Sequence, residues 1–453
     1  MPVLKPSGSD FTSLVKAAAQ YVPPGRGGKV SKSGSGSMLA PPSLGAVARA
    51  SLVAIRANPS STVLSIPYII PAAGGGGTAG TPAPSTPLYY QVTSTDWTNS
   101  WQPYLQWLAG SNAGAVATFS SNVVTGTGVS GTWYKGCVVG PNGKIYCIPA
   151  YATLVGVIDL NANSFDVNSV SGVISPAVDA YNGGVLAPNG KIYCIPYTAT
   201  TVGVIDPVLN TFASNTVSGS ISTAGAYQGG VLAPNGKIYC IPGYATTVGV
   251  IDQVANTFVT NTVSGTAPGG SAYNGGVLAP NGKIYCIPEN ATTVGVIDPS
   301  LNTFTTFGTT PGSAAYIGGV LAANGKIYCI PLNATGVGVI DPVLNTFSSN
   351  AITGTAPGGQ AYRAGILGPT GKIYCIPANA TGVGVIDPVL NTFTSNAITG
   401  TAPGGQAYHG AVLAPNGNIY CAPYGTRPPG VISFSGLNQL PSSNYLLSTW
   451  NKF

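Results

Sequence analysis

One phrase recurs seven times in this chain. "GGVLAPNGKIYCIP" spans residues 229–242, and close relatives of it centre on Cys147, Cys194, Cys286, Cys329, Cys375 and Cys421 as this copy does on Cys240. Successive cysteines lie 47, 46, 46, 43, 46 and 46 residues apart. A period in the forties that holds several short strands builds a β-propeller, in which each repeat is one blade packed only against its neighbours.

The copy at 227–260 reads strand by strand. "YQGGVLAP" is an inner strand whose glycines allow backbones to crowd near a central axis. Asn235-Gly236 is expected as a two-residue type I′ turn, and "KIYCIP" returns as the second strand. "TTVGVID" is the third strand. In most copies it runs into "DPxxNTF", where Asp caps a turn and Pro fixes φ; here Gln253 replaces that Pro. "NTFVTNTV" is the outer strand. The fold class is therefore all-β: a seven-bladed β-propeller of four-stranded blades, with an extended, partly helical N-terminal arm.

The last repeat is incomplete. Its "GVISFSG" has Ser433 where the other copies have Asp, and no "NTF" follows. Upstream, "ATFSSNVVTGTG" (117–128) matches "NTFTSNAITGTA" (391–402) of the sixth copy. Residues 117–125 are thus expected to supply the missing outer strand and close the ring. The chain divides into an arm (1–110), a propeller (111–440) and a tail (441–453).

Charge is sparse and unevenly placed. Asp, Glu, Lys and Arg make up 6% of the chain, and Gly and Pro contribute 63 and 38 residues, a composition of short strands and tight turns. Residues 1–56 hold Lys5, Lys16, Arg26, Lys29, Lys32, Arg49 and Arg56 against Asp10 alone, which accounts for the whole net charge of +6. Seven basic residues over 56, with no RNA-reading aromatic motif, make a nucleic-acid partner an unfavoured expectation. "MPVLKPSGSDFTSLVK" lacks the apolar centre of a secretory leader, and no run of 18 or more apolar residues could span a membrane.

Nothing in the sequence assembles into a catalytic set. Six of the eleven acids are repeat aspartates at a turn: Asp159, Asp206, Asp252, Asp298, Asp341 and Asp387. The only histidine is His409, and no Cys-x-x-Cys exists. The repeat cysteines are expected as small buried apolar groups, with no metal, no cofactor and no enzyme activity. Three Asn-x-Thr sequons, at Asn290, Asn333 and Asn379, sit in repeated "NAT" segments.

Variation between copies points to a surface. The residue after the repeat tyrosine is Lys135, Asn182, Gln228, Asn274, Ile317, Arg363 or His409, and the segment after "CIP" brings Tyr151, Tyr197, Tyr244, Glu289, Asn333, Asn379 or Tyr424. Both positions should open on one face of the ring, the first near the channel mouth, while the constant turns lie on the other. The candidate partner-binding face comprises Lys135, Asn182, Gln228, Asn274, Arg363, His409, Tyr151, Tyr197, Tyr244 and Tyr424. Residues 334–362 and 380–408 differ only at Ser348 against Thr394, which suits a scaffold of interchangeable units.

In the arm, 9–22 and 43–57 read as short helices, and "STVLSIPYII" and "PLYYQVTST" as strands. Tyr89, Tyr90, Trp97, Trp101, Tyr104 and Trp107 read as an aromatic plug against the ring. An arm with little core of its own gains order by lying on a neighbour. Its candidate anchor residues are Lys5, Phe11, Lys16, Arg26, Lys29, Lys32, Arg49 and Arg56.

"GGVLAPNGKIYCIP…VGVIDP" resembles kelch-like and related propeller repeats, without their regular late tryptophan. "PSGSDFTSLVKAAA" is similar to the N-terminal Ser-Asp-(Tyr/Phe)-Thr segments of virion proteins from large icosahedral algal viruses. The resemblance implies a minor capsid or vertex protein, made in the host cytoplasm and located in the virion, with other capsid proteins as partners. The alternative is a host-attachment protein that reads a surface glycan or receptor through the variable face. A propeller hydrolase or lactonase lacks the acids.

Overall fold

Each of the first six repeats folds as one four-stranded antiparallel sheet, and the seventh supplies three strands of another, in the computed structural model that describes residues 64–68, 88–92, 102–126, 133–175, 178–222 and 224–441. The third blade is representative, with strands Tyr227–Leu232, Ile238–Pro242, Gly249–Asp252 and Thr257–Val259 in that order. Every "IYC(I/A)P" strand is buried along its whole length, because both faces of an inner strand meet adjoining blades. Inner strands touch their neighbours all the way round, and that of the seventh blade touches that of the first.

One aromatic pair repeats in every blade. The inner-strand tyrosine meets the outer-strand "NTF" phenylalanine edge-on, as in Tyr227–Phe258 at 5.8 Å. A glycine of the third strand lies beneath the pair; a Cβ on Gly249 would sit 2.7 Å from the Phe258 ring. Such pairs contribute about 0.5–1.5 kcal/mol beyond the area they bury.

The ring closes by strand exchange. Val116–Ser120 pairs antiparallel with Gly430–Ser435 as the outer strand of the seventh blade, and Phe119 meets Tyr408 at 5.9 Å, as its counterparts do elsewhere. The closing strand is shorter than the 117–125 read from sequence. Residues beyond it cross to the first blade, where Thr125 bridges Ser164.

Such crossings recur and cover the outer edges. Ser218 of the second blade bridges Thr257 of the third: Ser218 N donates to Asn256 O (2.9 Å), and Phe258 N to Ser218 O (2.7 Å). Ser171, Ser264 and Thr353 do the same for other blades. The 43-residue spacing marks an exception: the fourth outer strand continues to Phe307, and the connection that follows is correspondingly short. Covered edges do not offer unpaired N–H and C=O groups to another chain.

The hairpin turn differs from the expected type I′. Of Asn235 and Gly236 only Gly236 takes a positive φ (79°), Gly236 N donates to Ala233 O (3.0 Å), and Ala233 N donates to Lys237 O (2.8 Å). The loop is three residues, Pro234-Asn235-Gly236. Proline has no N–H to close a two-residue loop, and its fixed φ suits the first turn position. Asn235 Nδ2 then donates to Tyr239 Oη (2.8 Å), a contact repeated in five other blades, with Thr370 replacing Asn in the sixth.

The repeat aspartates are turn caps. Asp252 Oδ1 accepts from Val254 N and Ala255 N (both 3.0 Å), and Oδ2 lies 3.0 Å from Lys237 Nζ. Six blades share the Lys–Asp pair; the seventh has Asn418 and Ser433, so both partners change together. The Ala255 amide foremost, then Lys237, outweighs burial to hold the Asp252 carboxyl below its usual 3.8. At Asp206 burial pulls upward, and the Leu209 amide with Lys191 more than offsets it. All six repeat carboxyls are lowered. A folded value below the unfolded one stabilises above the unfolded value and is lost as pH falls through the folded one. The urea midpoint should therefore hold down to roughly pH 4 and fall below it. Asp→Asn at several repeats should flatten that fall; an unchanged acid limb would count against the capping role.

Leu64–Tyr68 and Leu88–Val92 pair antiparallel as a separate two-stranded sheet. The helix Gln102–Ser111 lies on the hairpin-turn face with Leu105 and Leu108 buried. Asn112 ties it down: Nδ2 donates to Gln439 O (2.9 Å), and Oδ1 accepts from Asn438 N (2.9 Å) and Gln439 N (3.0 Å). Of the aromatic plug, Tyr104 packs on the core, whereas Trp107 is 52% exposed. Trp97, Trp101, the helices read at 9–22 and 43–57, and all the anchor residues (Lys5 to Arg56) lie outside the described residues.

Candidate functional site

The variable positions converge on one mouth of the ring. The inner strands begin there, and the residue after each repeat tyrosine stands at the rim. Next comes a glycine: Gly136, Gly183, Gly229, Gly275, Gly318 and Gly410 all have positive φ. A Cβ on Gly229 would lie 3.3 Å from Gly275 Cα, so the backbones nearly touch around the axis. The sixth blade has Ala364 instead, which pairs with Ile376 directly after the register shift that follows Tyr362. This narrow collar sets the depth of the mouth.

Above the collar lie three clusters. Across the junction of the seventh and first blades, four rings stack in series. His409 lies 3.7 Å from Tyr424 at 16°, Tyr424 4.9 Å from Trp133 at 23°, and Trp133 meets Tyr151 edge-on at 4.5 Å. Trp133, Tyr151 and Tyr424 are half-buried, so this stack keeps an open side. Next to it, Lys135 Nζ lies 2.7 and 2.8 Å from the two Asp179 carboxylate oxygens and 5.1 Å from the Tyr197 ring centre.

The second cluster surrounds Glu289. Its Oε2 accepts from Ser271 Oγ (3.0 Å), Gln228 Nε2 (3.2 Å) and Asn274 Nδ2 (3.2 Å), and Asn274 also donates to Gln228 Oε1 (2.7 Å). The third is Arg363, which donates to Gln360; Ile317, at the same position of the preceding blade, is buried. Arg363 Nε and His409 Nε2 have no hydrogen-bond partner among the described residues. Burial, then Arg363 and Lys135, holds the His409 imidazole well below its usual value, so it is neutral at pH 7. Burial pushes the Tyr197 and Tyr424 hydroxyls up to about 12, which leaves them as donors.

Of the ten face residues read from sequence, Lys135, Gln228, Asn274, Arg363, His409, Tyr151, Tyr197 and Tyr424 join these clusters. Asn182 stands at the rim without a described role, and Tyr244 is exposed beside Gly225. A third variable position escaped the sequence reading, two residues before the repeat tyrosine: Asp179, Gly225, Ser271, Ala314, Gln360 and Gln406. All six have positive φ, and three place side chains in the mouth. Their variation between copies was a signal. Trp133 was the other omission.

The sequon asparagines hold loops together on this face. Asn379 Nδ2 donates to Gly359 O (3.0 Å), and its Oδ1 accepts from Gln406 N (2.9 Å). Asn290 and Asn333 accept from Ala314 N (2.8 Å) and Gln360 N (3.1 Å) in the same way. Among the described residues no group of three or more His, Cys, Asp or Glu could hold a metal ion.

Fold and mouth together define a seven-bladed β-propeller whose variable residues gather at one end of its axis. No protein-family model matches the sequence, and no curated protein does. Solved structures do match in fold. A streptogramin B lyase superposes with TM-score 0.56 at 15% identity, over 70% of this chain and 98% of that one. Virginiamycin B lyase from Staphylococcus aureus gives 0.55 at 15%, over 70% and 99%. The extracellular domain of the two-component system BT3049 from B. thetaiotaomicron gives 0.51 at 12%, over 69% and 41%.

Proposed function

We propose that this chain is a non-enzymatic structural component of a virion, a minor capsid or vertex protein gripped by one face of its ring. The observation that carries this reading is the contrast between the two faces. The turn face repeats itself and ends in bare apolar tips: Val208, Val254, Val343 and Val389 are 79 to 86% exposed, and Leu209, Leu301, Leu344 and Leu390 accompany them. The helix Gln102–Ser111 lies on that face, and its first residue, Gln102, adjoins Val343 and Leu344 at the tips. Large exposed apolar side chains in a regular array suit contact with other protein. Kelch-like ancestry and the virion-like N-terminus belong to the same reading.

The mouth favours binding over catalysis. Some propellers of this fold are lyases, but here Glu289 Oε2 already accepts from two amides and a hydroxyl, and Asp179 is paired with Lys135. The open stack of Trp133, Tyr151 and Tyr424 supports the second reading, host attachment through a surface glycan or protein, since half-exposed aromatic faces pack on sugar rings and side chains.

Changing Val208, Val254, Val343 and Val389 together to serine tests the first reading. Exposed sites contribute within about 0.5 kcal/mol each, so the free protein should melt nearly as before, while incorporation into particles is lost. Trypsin should cut after Arg26, Lys29 and Lys32 in the free chain and not in the particle. If those sites stay open in particles, or no particle carries the chain, the structural reading fails. Trp133→Ala with Tyr424→Ala should leave incorporation intact and, on the second reading, reduce cell attachment at least tenfold, as the loss of a pair of hot-spot aromatics does.

A further inference from the structure

The repeat cysteines are packing groups in six blades, but the first blade adds an eighth cysteine. Cys137 stands directly opposite Cys147 across the antiparallel pair of Tyr134–Val139 and Ile145–Pro149. Their sulfurs are 3.1 Å apart and both residues are buried. Elsewhere the residue facing the repeat cysteine is glycine, or Ala411 in the seventh blade.

The reason for glycine shows why cysteine is special here. At Gly184 a Cβ would lie 2.5 Å from Ile148 Cδ1 of the preceding blade, and at Gly365 2.2 Å from Ile330 Cδ1. An isoleucine fills the space. The blade preceding the first is the seventh, and there that isoleucine is Ala422, which packs in one cluster with Cys137 and Cys147. Two departures from the repeat therefore coincide at the ring seam, one supplying a thiol and the other the room for it.

We propose that Cys137 and Cys147 form a cross-strand disulfide when the chain meets a low-molecular-weight disulfide such as oxidised glutathione. Directly opposed antiparallel residues have Cα atoms about 4.5–5.5 Å apart, inside the span of about 4.4–6.8 Å that a disulfide bridges. One thiolate attacks glutathione disulfide and releases a first reduced glutathione. The second thiolate then attacks the mixed disulfide and releases another. One S–S bond is formed and one is lost; two protein thiols are oxidised and one glutathione disulfide is reduced, with both protons ending on glutathione. Burial raises the Cys137 thiol well above its usual value, and the thiolate is the attacking form. The exchange therefore runs fastest while the chain folds and slowly in the closed ring. The bridge ties the inner hairpin of the blade that meets the closing blade.

The test uses the full chain, unfolded under reduction and refolded in a mixture of oxidised and reduced glutathione. It is then alkylated in denaturant and weighed. Six alkylated thiols are expected, at a mass about 2 Da below that of the eight-thiol chain plus six alkyl groups, from loss of two hydrogens. Trypsin should yield peptides 136–144 and 145–191 joined. Cys137→Ala, which copies the seventh blade's alanine and so should fold, is expected to give seven alkylated thiols and no joined peptides. Eight alkylated thiols in the refolded parent, or a bridge from Cys137 to Cys421 instead, overturn the proposal.

Discussion

Deleting residues 1–120 abolishes cooperative unfolding, whereas deleting 1–101 leaves the melting transition of the ring in place. The two truncations differ by the helix Gln102–Ser111 and the strand Val116–Ser120. The strand pairs five residues with Gly430–Ser435 and places Phe119 against Tyr408. Its loss bares a buried tyrosine and opens an edge beside Gly430–Ser435, and an unpaired edge recruits other chains. Losing a buried phenylalanine alone costs about 3–5 kcal/mol, comparable with the low end of a whole domain's stability. Phe119→Ala should thus lower the urea midpoint about as much as Phe258→Ala does at the same place in the third blade. Only the 1–120 deletion should also give oligomers by sedimentation. A monomeric, cooperatively melting 121–453 chain would refute closure by strand exchange.

The repeat made the architecture readable because each copy serves as an alignment partner for the others. Spacing set the blade count, and the orphan "ATF" at 117–119 located the closing strand without any structure. Features that depend on contacts between blades were harder to read. The sequence names Pro234, Asn235 and Gly236 but not which two take the turn, and the proline decides it by lacking a donor. The crossing of Ser218 to Thr257 brings a loop of ordinary composition onto the outer strand of the next blade, so nothing local marks it. The mouth was only partly legible: the columns at Lys135 and Tyr151 vary visibly, while Asp179 and Ser271 hide in loops of changing length. Cys137 is the sharpest case. Read with its blade it is another small residue. Its partner becomes visible only when strand register and the Ile-to-Ala change at 422 are considered together.

Gly265→Ala should cost about 3–5 kcal/mol, a sum of backbone strain and overpacking, although it adds a single methyl group to the surface of the ring. Gly265 follows Ser264, which bridges Thr303 of the next blade, and has φ of 104°. A Cβ there would lie 2.3 Å from the carbonyl oxygen of Phe304, and backbone on both sides leaves nothing flexible to yield. The same glycine stands at 126, 172, 219, 354 and 400, each with a phenylalanine carbonyl 2.1 to 2.4 Å from the added carbon. Gly143→Ala separates the two contributions. Its φ is also positive, at 79°, but nothing lies within 4 Å, so only the conformational penalty of about 1 kcal/mol applies. Chemical melts of the two variants should differ about threefold in their loss of stability. Equal losses would mean that positive φ alone explains the repeated glycine, and that the outer crossing tolerates a shift of the Phe304 carbonyl. A larger loss at Gly265 would place the tightest joint of the ring at its rim, where each blade hands a strand edge to the next.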